Sequence, residues 1–219
     1  MIRAKGLRKV YSMNGSEVVA LGSIDFNIGQ GDFTALMGPS GSGKSTLMNI
    51  LGLLDTPTSG EYFLDEEAVF ELTDDDRATI RNRKIGFVFQ SHNLLPRNTI
   101  IENVCLPLYY RGEKHPEKKA MSALERVGLS HRAKHFPNQV SGGESQRAAI
   151  ARAIVVEPKL ILADEPTGNL DSKTGLKIID ILKELNESGV TLVVVTHDPE
   201  IAGHAKNKLR IKDGGLERT

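Results

Sequence analysis

Apolar residues in this chain fall into short unbroken runs: "FTALM" (Phe33 to Met37), "IGFVF" (Ile85 to Phe89), "LILA" (Leu160 to Ala163) and "VTLVVVT" (Val190 to Thr196). Continuous apolar runs of this length predict strands buried on both faces, the pattern of a parallel sheet covered by helices. Between the first two lies "KSTLMNILGLL", apolar nearly all round, which predicts a buried helix from Lys44 to Leu54. "SGGE" followed by "AAIARAIVV" predicts an alanine-rich helix with Ser141 as N-cap and Glu144 completing a capping box. Near the C-terminal end, "KNKLRIK" alternates instead, which predicts a strand with a solvated face rather than a basic patch.

Polar residues punctuate the ends of the four apolar runs. Gly38 follows the first, Gln90 the second, Asp164 and Glu165 close the third, and His197 follows the fourth. Ligands in open α/β sheets bind at the carboxyl ends of the strands, so these residues are expected along one edge. The loop after the first run is "GPSGSGKST", Gly38 to Thr46, which matches G-x-x-x-x-G-K-[ST] between a strand and a helix. Gly38, Gly41 and Gly43 let the backbone wrap, with Ser40 and Ser42 between them, so that N–H groups point inward at a helix N-terminus. Lys44 supplies a cation for β- and γ-phosphates, the Ser45 hydroxyl suits Mg²⁺, and Thr46 ends the motif.

Asp164 is then the expected Mg²⁺ partner and Glu165 the candidate base for an attacking water. His197 is placed to hold the γ-phosphate or that water, and Gln90 to ligate Mg²⁺ and sense the γ-phosphate. Each residue also has a plainer reading, as a solvated acidic turn, a hydrogen-bonded histidine or a surface amide. The two glycines after Ser141 exceed what a capping box requires. They suit a second phosphate site formed by Ser141, Gly142 and Gly143, and a single loop-bound nucleotide has little need of one within the same protomer.

Composition narrows the class. The 28 basic and 28 acidic residues balance, so no overall field draws the chain to nucleic acid or anionic lipid. The lone Cys105 excludes an internal disulfide framework or a multi-cysteine zinc site and fits a reducing compartment. No apolar run approaches the ~20 residues of a membrane span and "MIRAKGLRKV" lacks a signal-peptide core, so the expected location is cytosolic.

The motifs "GPSGSGKST", "FVFQ", "VSGGESQR", "LILADEP", "NLD" and "VTHD" stand in the order of the ATP-binding cassette (ABC) ATPases, and the chain resembles that family over essentially its whole length. The resemblance implies an α/β P-loop NTPase core with a mostly parallel sheet, an N-terminal antiparallel β subdomain and an inserted α-helical subdomain. It puts the core at about 1–89 and 158–219, and the helical part at about 90–157. It also implies ATP and Mg²⁺ as ligands, and a head-to-tail dimer in which Ser141 to Gly143 meet the nucleotide on the partner's loop. Tyr11 is implied to stack on adenine, against the alternative of an ordinary edge-strand tyrosine, and Asp171 to help join the two sites.

"LMNILGLLDTPTSG", "IGFVFQSHNLLP" and "ADEPTGNLDS" resemble the ATPases of lipoprotein-release and macrolide-export transporters. Ser145, His92 and Glu66 depart from that group, where glutamine, phenylalanine and a turn glycine are usual. The resemblance implies a peripheral subunit on the cytoplasmic face of the inner membrane, partnered by an integral permease and, through it, by periplasmic or outer-membrane components. A groove near Leu94 to Arg97 is expected to receive the permease. The alternative is a regulatory ATPase that works on a membrane protein without transport, as in cell-division relatives.

Overall fold

The computed structural model describes residues 1–13 and 15–217, in two units: Met1–Thr79 with Thr191–Thr219, and Ile80–Val190. The first unit begins with β1 (Ile2–Met13), β2 (Ser16–Ile28), β3 (Phe33–Met37), α1 (Lys44–Leu51), β4 (Ser59–Leu64), β5 (Glu67–Ala68) and the start of α2 (Asp74–Lys84). The second contains β6 (Ile85–Phe89), α3 (Ile100–Tyr110), α4 (Glu117–Arg126), α5 (Gly142–Ile154), β7 (Leu160–Asp164) and α6 (Ser172–Glu187). The chain then returns to the first unit with β8 (Thr191–Val195), α7 (Pro199–Gly203), β9 (Asn207–Lys212) and β10 (Gly215–Leu216).

All four apolar runs are strands, and their pairing accounts for their composition. In the first unit β3 lies between β8 and β9 and is parallel to both, so almost all of its residues are buried. A parallel strand covered on both faces has no wet side to mark with polar residues. β9 does alternate, with Lys208, Arg210 and Lys212 exposed while Ile211 is buried. The other sheet of this unit is antiparallel, ordered β2-β1-β4-β5. Its β2 buries Leu21, Ile24, Phe26 and Ile28 and exposes Ser23, Asp25 and Asn27. At the turn between β4 and β5, Asp65 and Glu66 take left-handed φ of 55° and 67°, so the conformation suited to glycine persists with glutamate in place.

The helix after the phosphate-type loop is shorter than its composition predicts. It ends at Leu51, where the N–H of Gly52 closes the last turn on Met48, and Leu53 turns left-handed at φ 56°. Leu54, expected within the buried helix, is exposed. Tyr62 anchors the end instead, its buried hydroxyl donating to the Leu51 carbonyl at 2.8 Å. That carbonyl has no intrahelical partner, so the bond satisfies a group the helix leaves open.

In the second unit β6 and β7 run parallel, with Phe89 opposite Asp164. The helix α5 packs on β6 so closely that a Cβ at Gly86 would lie 2.6 Å from the Ala153 carbonyl. Ala148, Ala149 and Ala151 are fully buried, which is why this helix is alanine-rich: bulkier residues would hold it off its neighbours. Fully buried Asn103 on α3 accepts from the Leu95 N–H at 2.7 Å and donates to the carbonyls of Leu95, Asn98 and Thr99 at 3.0 to 3.1 Å. It fixes the segment that follows Gln90 from inside. Asn103→Leu should therefore cost about 2 kcal/mol of stability in chemical denaturation, since the part-buried backbone groups at Leu95 and Asn98 lose their partner; a variant as stable as the native chain would show that water replaces the amide.

Candidate functional site

The loop from Gly38 to Thr46 is shaped by the backbone against which it lies. At Gly38 φ is 151°, and a Cβ there would sit 2.1 Å from the Ile211 carbonyl on β9, so only glycine fits. Gly43, left-handed at φ 107°, begins α1 as its N-cap with no side-chain hydrogen bond to the helix. The first turn carries no acidic residue either. Among the described residues, then, no side chain caps the positive end of this helix.

Lys44 Nζ crosses the loop, donating to the carbonyls of Gly38 at 2.9 Å and Pro39 at 2.7 Å. The Ser42 hydroxyl is buried and has no hydrogen-bond partner among the described residues. Ser40, Gly41 and Ser45 are exposed, and nothing lies within 4 Å of where a Gly41 side chain would begin. An ammonium, an uncapped helix start and an orphaned hydroxyl around an open cradle fit a polyphosphate, and Ser45 offers a hard oxygen for Mg²⁺.

Two more predicted residues belong to the same unit. Leu36 on β3 faces Val195 on β8, and the Thr196 N–H donates to the Leu36 carbonyl at 3.2 Å, so the two strands end together. His197 is accordingly carried beside the start of the loop, exposed. The backbone on its far side is fixed because the Asp198 N–H donates to Thr196 Oγ1 at 3.0 Å and Asp198 caps α7. Tyr11 is paired with Val18 on β2, while the ladder from β1 to β4 ends at Arg8, so β1 is an inner strand along its first residues and paired on one side at Tyr11. Its hydroxyl donates to Asp55 Oδ2 at 2.7 Å.

The second unit gathers the remaining predicted residues in two groups. One is the strand-end pair: Gln90 follows β6, and Asp164 ends β7 with Glu165 next. Glu165 sits at a left-handed φ of 45°, a conformation that β-strand continuation forbids, so the strand stops at Asp164. Gln90 and Asn169 bond reciprocally, Gln90 Nε2 to Asn169 Oδ1 at 3.3 Å and Asn169 Nδ2 to the Gln90 carbonyl at 3.2 Å. Fully buried Gln146 on α5 donates to the Pro166 carbonyl at 2.7 Å, immediately after Glu165. Asn169 and Gln146 lie inside "NLD" and "VSGGESQR", but spacing assigns neither a role, because both act through tertiary contacts.

The other group is the start of α5. Ser141 is the N-cap, and the box predicted from "SGGE" forms: Glu144 N–H donates to Ser141 Oγ at 3.3 Å, while Ser141 N–H donates to Glu144 Oε2 at 2.8 Å. Gly143 has a reason within its own unit, since a Cβ there would fall 2.4 Å from Thr174 Cγ2 on α6. Gly142 is exposed beside it. Asp171 caps α6, accepting from the Thr174 N–H at 3.0 Å, and its pKa is lowered by the Thr174 side chain first and by that N–H second. The departures are also accommodated: Ser145 is buried on α5, and His92, left-handed at φ 58°, has its carbonyl held by Arg152 at 2.7 Å. No group of three or more His, Cys, Asp or Glu side chains forms a metal cluster among the described residues.

The family model for ABC transporters matches residues 21–168. The macrolide export ATP-binding/permease protein MacB of Bdellovibrio bacteriovorus is 50% identical over 217 residues, 99% of this chain but 33% of its own length. The chain thus spans about a third of that relative. The ABC transporter ATP-binding protein YknY of Bacillus subtilis is 51% identical over 99% of this chain and 95% of its own. The solved dimer of the ATP-binding cassette MJ0796 in a post-hydrolysis state, bound to ADP and Pi, superposes with a TM-score of 0.92 at 48% identity, covering 100% of this chain and 97% of that one. The fold is the ABC cassette.

Hydrogen bonds from the Ser141 N–H, and an ion pair with Arg132 at 2.9 Å, hold the Glu144 carboxyl down at about 2, against an ordinary value of 4.5. A depressed carboxylate contributes stability above its unfolded value and loses it as pH falls toward the folded one. Native stability should therefore fall more steeply between about pH 4.5 and 2 than that of Glu144→Gln, as read by urea denaturation at each pH; parallel curves would contradict the box.

Proposed function

The chain belongs to the ABC transporter family as one of its ATP-binding domains, and from that premise we propose that two copies close head to tail on two ATP molecules and hydrolyse them to drive a membrane permease of the lipoprotein-release or macrolide/peptide-export type. The observation that carries this is the uncapped start of α1 under Lys44 and Ser42, a cradle whose unmet charge and orphaned hydroxyl call for an anion. A second anion-binding helix start, at Ser141 to Gly143, is solvent-exposed at Ser141 and Gly142 and so accessible to another copy's nucleotide.

In this reading residues 1–89 and 158–219 form the nucleotide core, and 90–157 the helical part. Tyr11 stacks on adenine, the amides of Gly38 to Thr46 wrap the phosphates, and Lys44 moves from its loop carbonyls to the β- and γ-oxygens. Ser45, Gln90 and Asp164 would hold Mg²⁺, their oxygen donors suiting a hard cation, and the ion when bound neutralises charge on the β- and γ-phosphates. Glu165, left-handed directly after β7, takes the proton of the attacking water, and His197 holds the γ-phosphate. Asp171 joins the two sites.

Only contacts that distinguish ATP from ADP can shift an open–closed equilibrium. Those are the γ-phosphate contacts of Gln90, His197 and the partner's Ser141 and Gly143, so ATP closes the dimer and hydrolysis releases it. The permease docks near Leu94 to Arg97, where Leu95 is 45% exposed although its backbone is held by Asn103. That exposure gives an apolar contact on a braced segment. No helix among the described residues is long and apolar enough to cross a membrane, so the pathway would belong to the partner. Periplasmic or outer-membrane components would join through that permease, with the cassette on the cytoplasmic face of the inner membrane.

Glu165→Gln should bind ATP normally and lose about 10²- to 10⁴-fold in turnover. In ATP it should run as a dimer in light scattering. A monomer at saturating ATP, or native turnover, would overturn this reading.

A further inference from the structure

Tyr11 is held from two sides. While its hydroxyl is bonded to Asp55 Oδ2, Lys9 Nζ lies 4.8 Å from the centre of its ring. The same ammonium donates to Asp55 Oδ1 at 2.6 Å and to the Thr56 carbonyl at 2.7 Å, and the Thr56 N–H donates to Asp55 Oδ1 at 2.7 Å. Asp55 in turn hangs from the end of α1, its N–H donating to the Asn49 carbonyl at 3.2 Å beside that of Leu54 at 2.8 Å. One carboxylate therefore ties an aromatic ring on β1 to the helix that begins at the phosphate-type loop.

A partly exposed ion pair between Lys9 and Asp55 would by itself contribute little to stability. What such a tie does not require is a phenol. The arrangement here spends the carboxylate's second oxygen on the ring hydroxyl and lays the cation over the ring face. The effect is to remove the rotational freedom of a half-exposed side chain before any ligand arrives, a cost that binding would otherwise bear. A phenol donating to a carboxylate also gains ring electron density, which favours contact with a cation on one face and with a purine on the other.

We propose that Asp55 is a positioning residue for nucleotide recognition: by accepting from Tyr11 and Lys9 together, it fixes the plane of the Tyr11 ring relative to the phosphate loop and presents one preset face to the purine. The inference rests on the reading of Tyr11 as the adenine platform. Lys9 occupies the opposite face. The lock acts on the base and leaves the phosphate contacts of Gly38 to Thr46 untouched.

The test is calorimetric affinity for ATP and for inorganic tripolyphosphate, which lacks a base, in the native chain and in Asp55→Ala, Tyr11→Phe and Tyr11→Ala. Asp55→Ala and Tyr11→Phe should each weaken ATP about three- to tenfold, the cost of ordering one side chain, with tripolyphosphate affinity unchanged. Tyr11→Ala should weaken ATP further. Native ATP affinity in Tyr11→Ala would sink the adenine platform itself. A loss in Tyr11→Ala with native affinity in both Asp55→Ala and Tyr11→Phe would sink the positioning role alone. Equal losses for ATP and tripolyphosphate in Asp55→Ala would show that Asp55 supports the loop and not the base. Should Asp55→Ala fail to fold, Tyr11→Phe, which removes only the hydroxyl, decides the question.

Discussion

The first turn of α1 has backbone N–H groups that no side chain among the described residues caps, and much of the molecule answers that one electrostatic demand. An ordinary helix start would be closed by serine or aspartate, as Ser141 closes α5 and Asp171 closes α6. At α1 the N-cap is Gly43, and the loop before it is pressed against β9 at Gly38 so tightly that no side chain can intervene. Charge must come from outside the chain. Lys44, meanwhile resting on loop carbonyls, supplies a cation that a polyphosphate can recruit without moving the backbone.

The two kinds of helix start divide the labour. The α1 start lacks an internal partner and so invites a strongly held anion. The α5 start is already satisfied by its capping box, and what it can offer is an exposed hydroxyl and exposed backbone at Gly142, a weaker and more conditional contact. That asymmetry suits a nucleotide held tightly by one copy and touched by another only while its γ-phosphate is present. Glu165, left-handed after β7 and followed by a carbonyl that Gln146 holds, lies in the same compact unit as that second helix start.

Much of this was legible in the sequence because it is local. Four unbroken apolar runs gave four buried strands within a residue or so of their bounds, and "SGGE" gave its capping box. The end of α1 is not legible in composition because "LGLL" stays apolar through a left-handed turn, and Gly52 and Leu53 stop the helix with backbone angles. The alternation in "LGSIDFNI" of β2 was present in the residues too, though Ser23 at φ 61° interrupts its period. Least legible were partners far apart in the chain. Asp55 with Tyr11, Asn169 with Gln90 and Gln146 with Pro166 become neighbours only once the strands and helices are packed, and no spacing rule joins them.

In the proposed dimer each nucleotide is completed by Lys44 of one copy and Ser141 of another, and mixing two variants tests this most directly. Lys44→Ala and Ser141→Arg should each be inactive in ATP hydrolysis when alone. Mixed in equal amounts, they should recover at most about a quarter of the native rate, because half the dimers are then mixed and each of those holds one complete site. A mixture as inactive as its components, with mixed dimers demonstrably formed, would contradict the shared site.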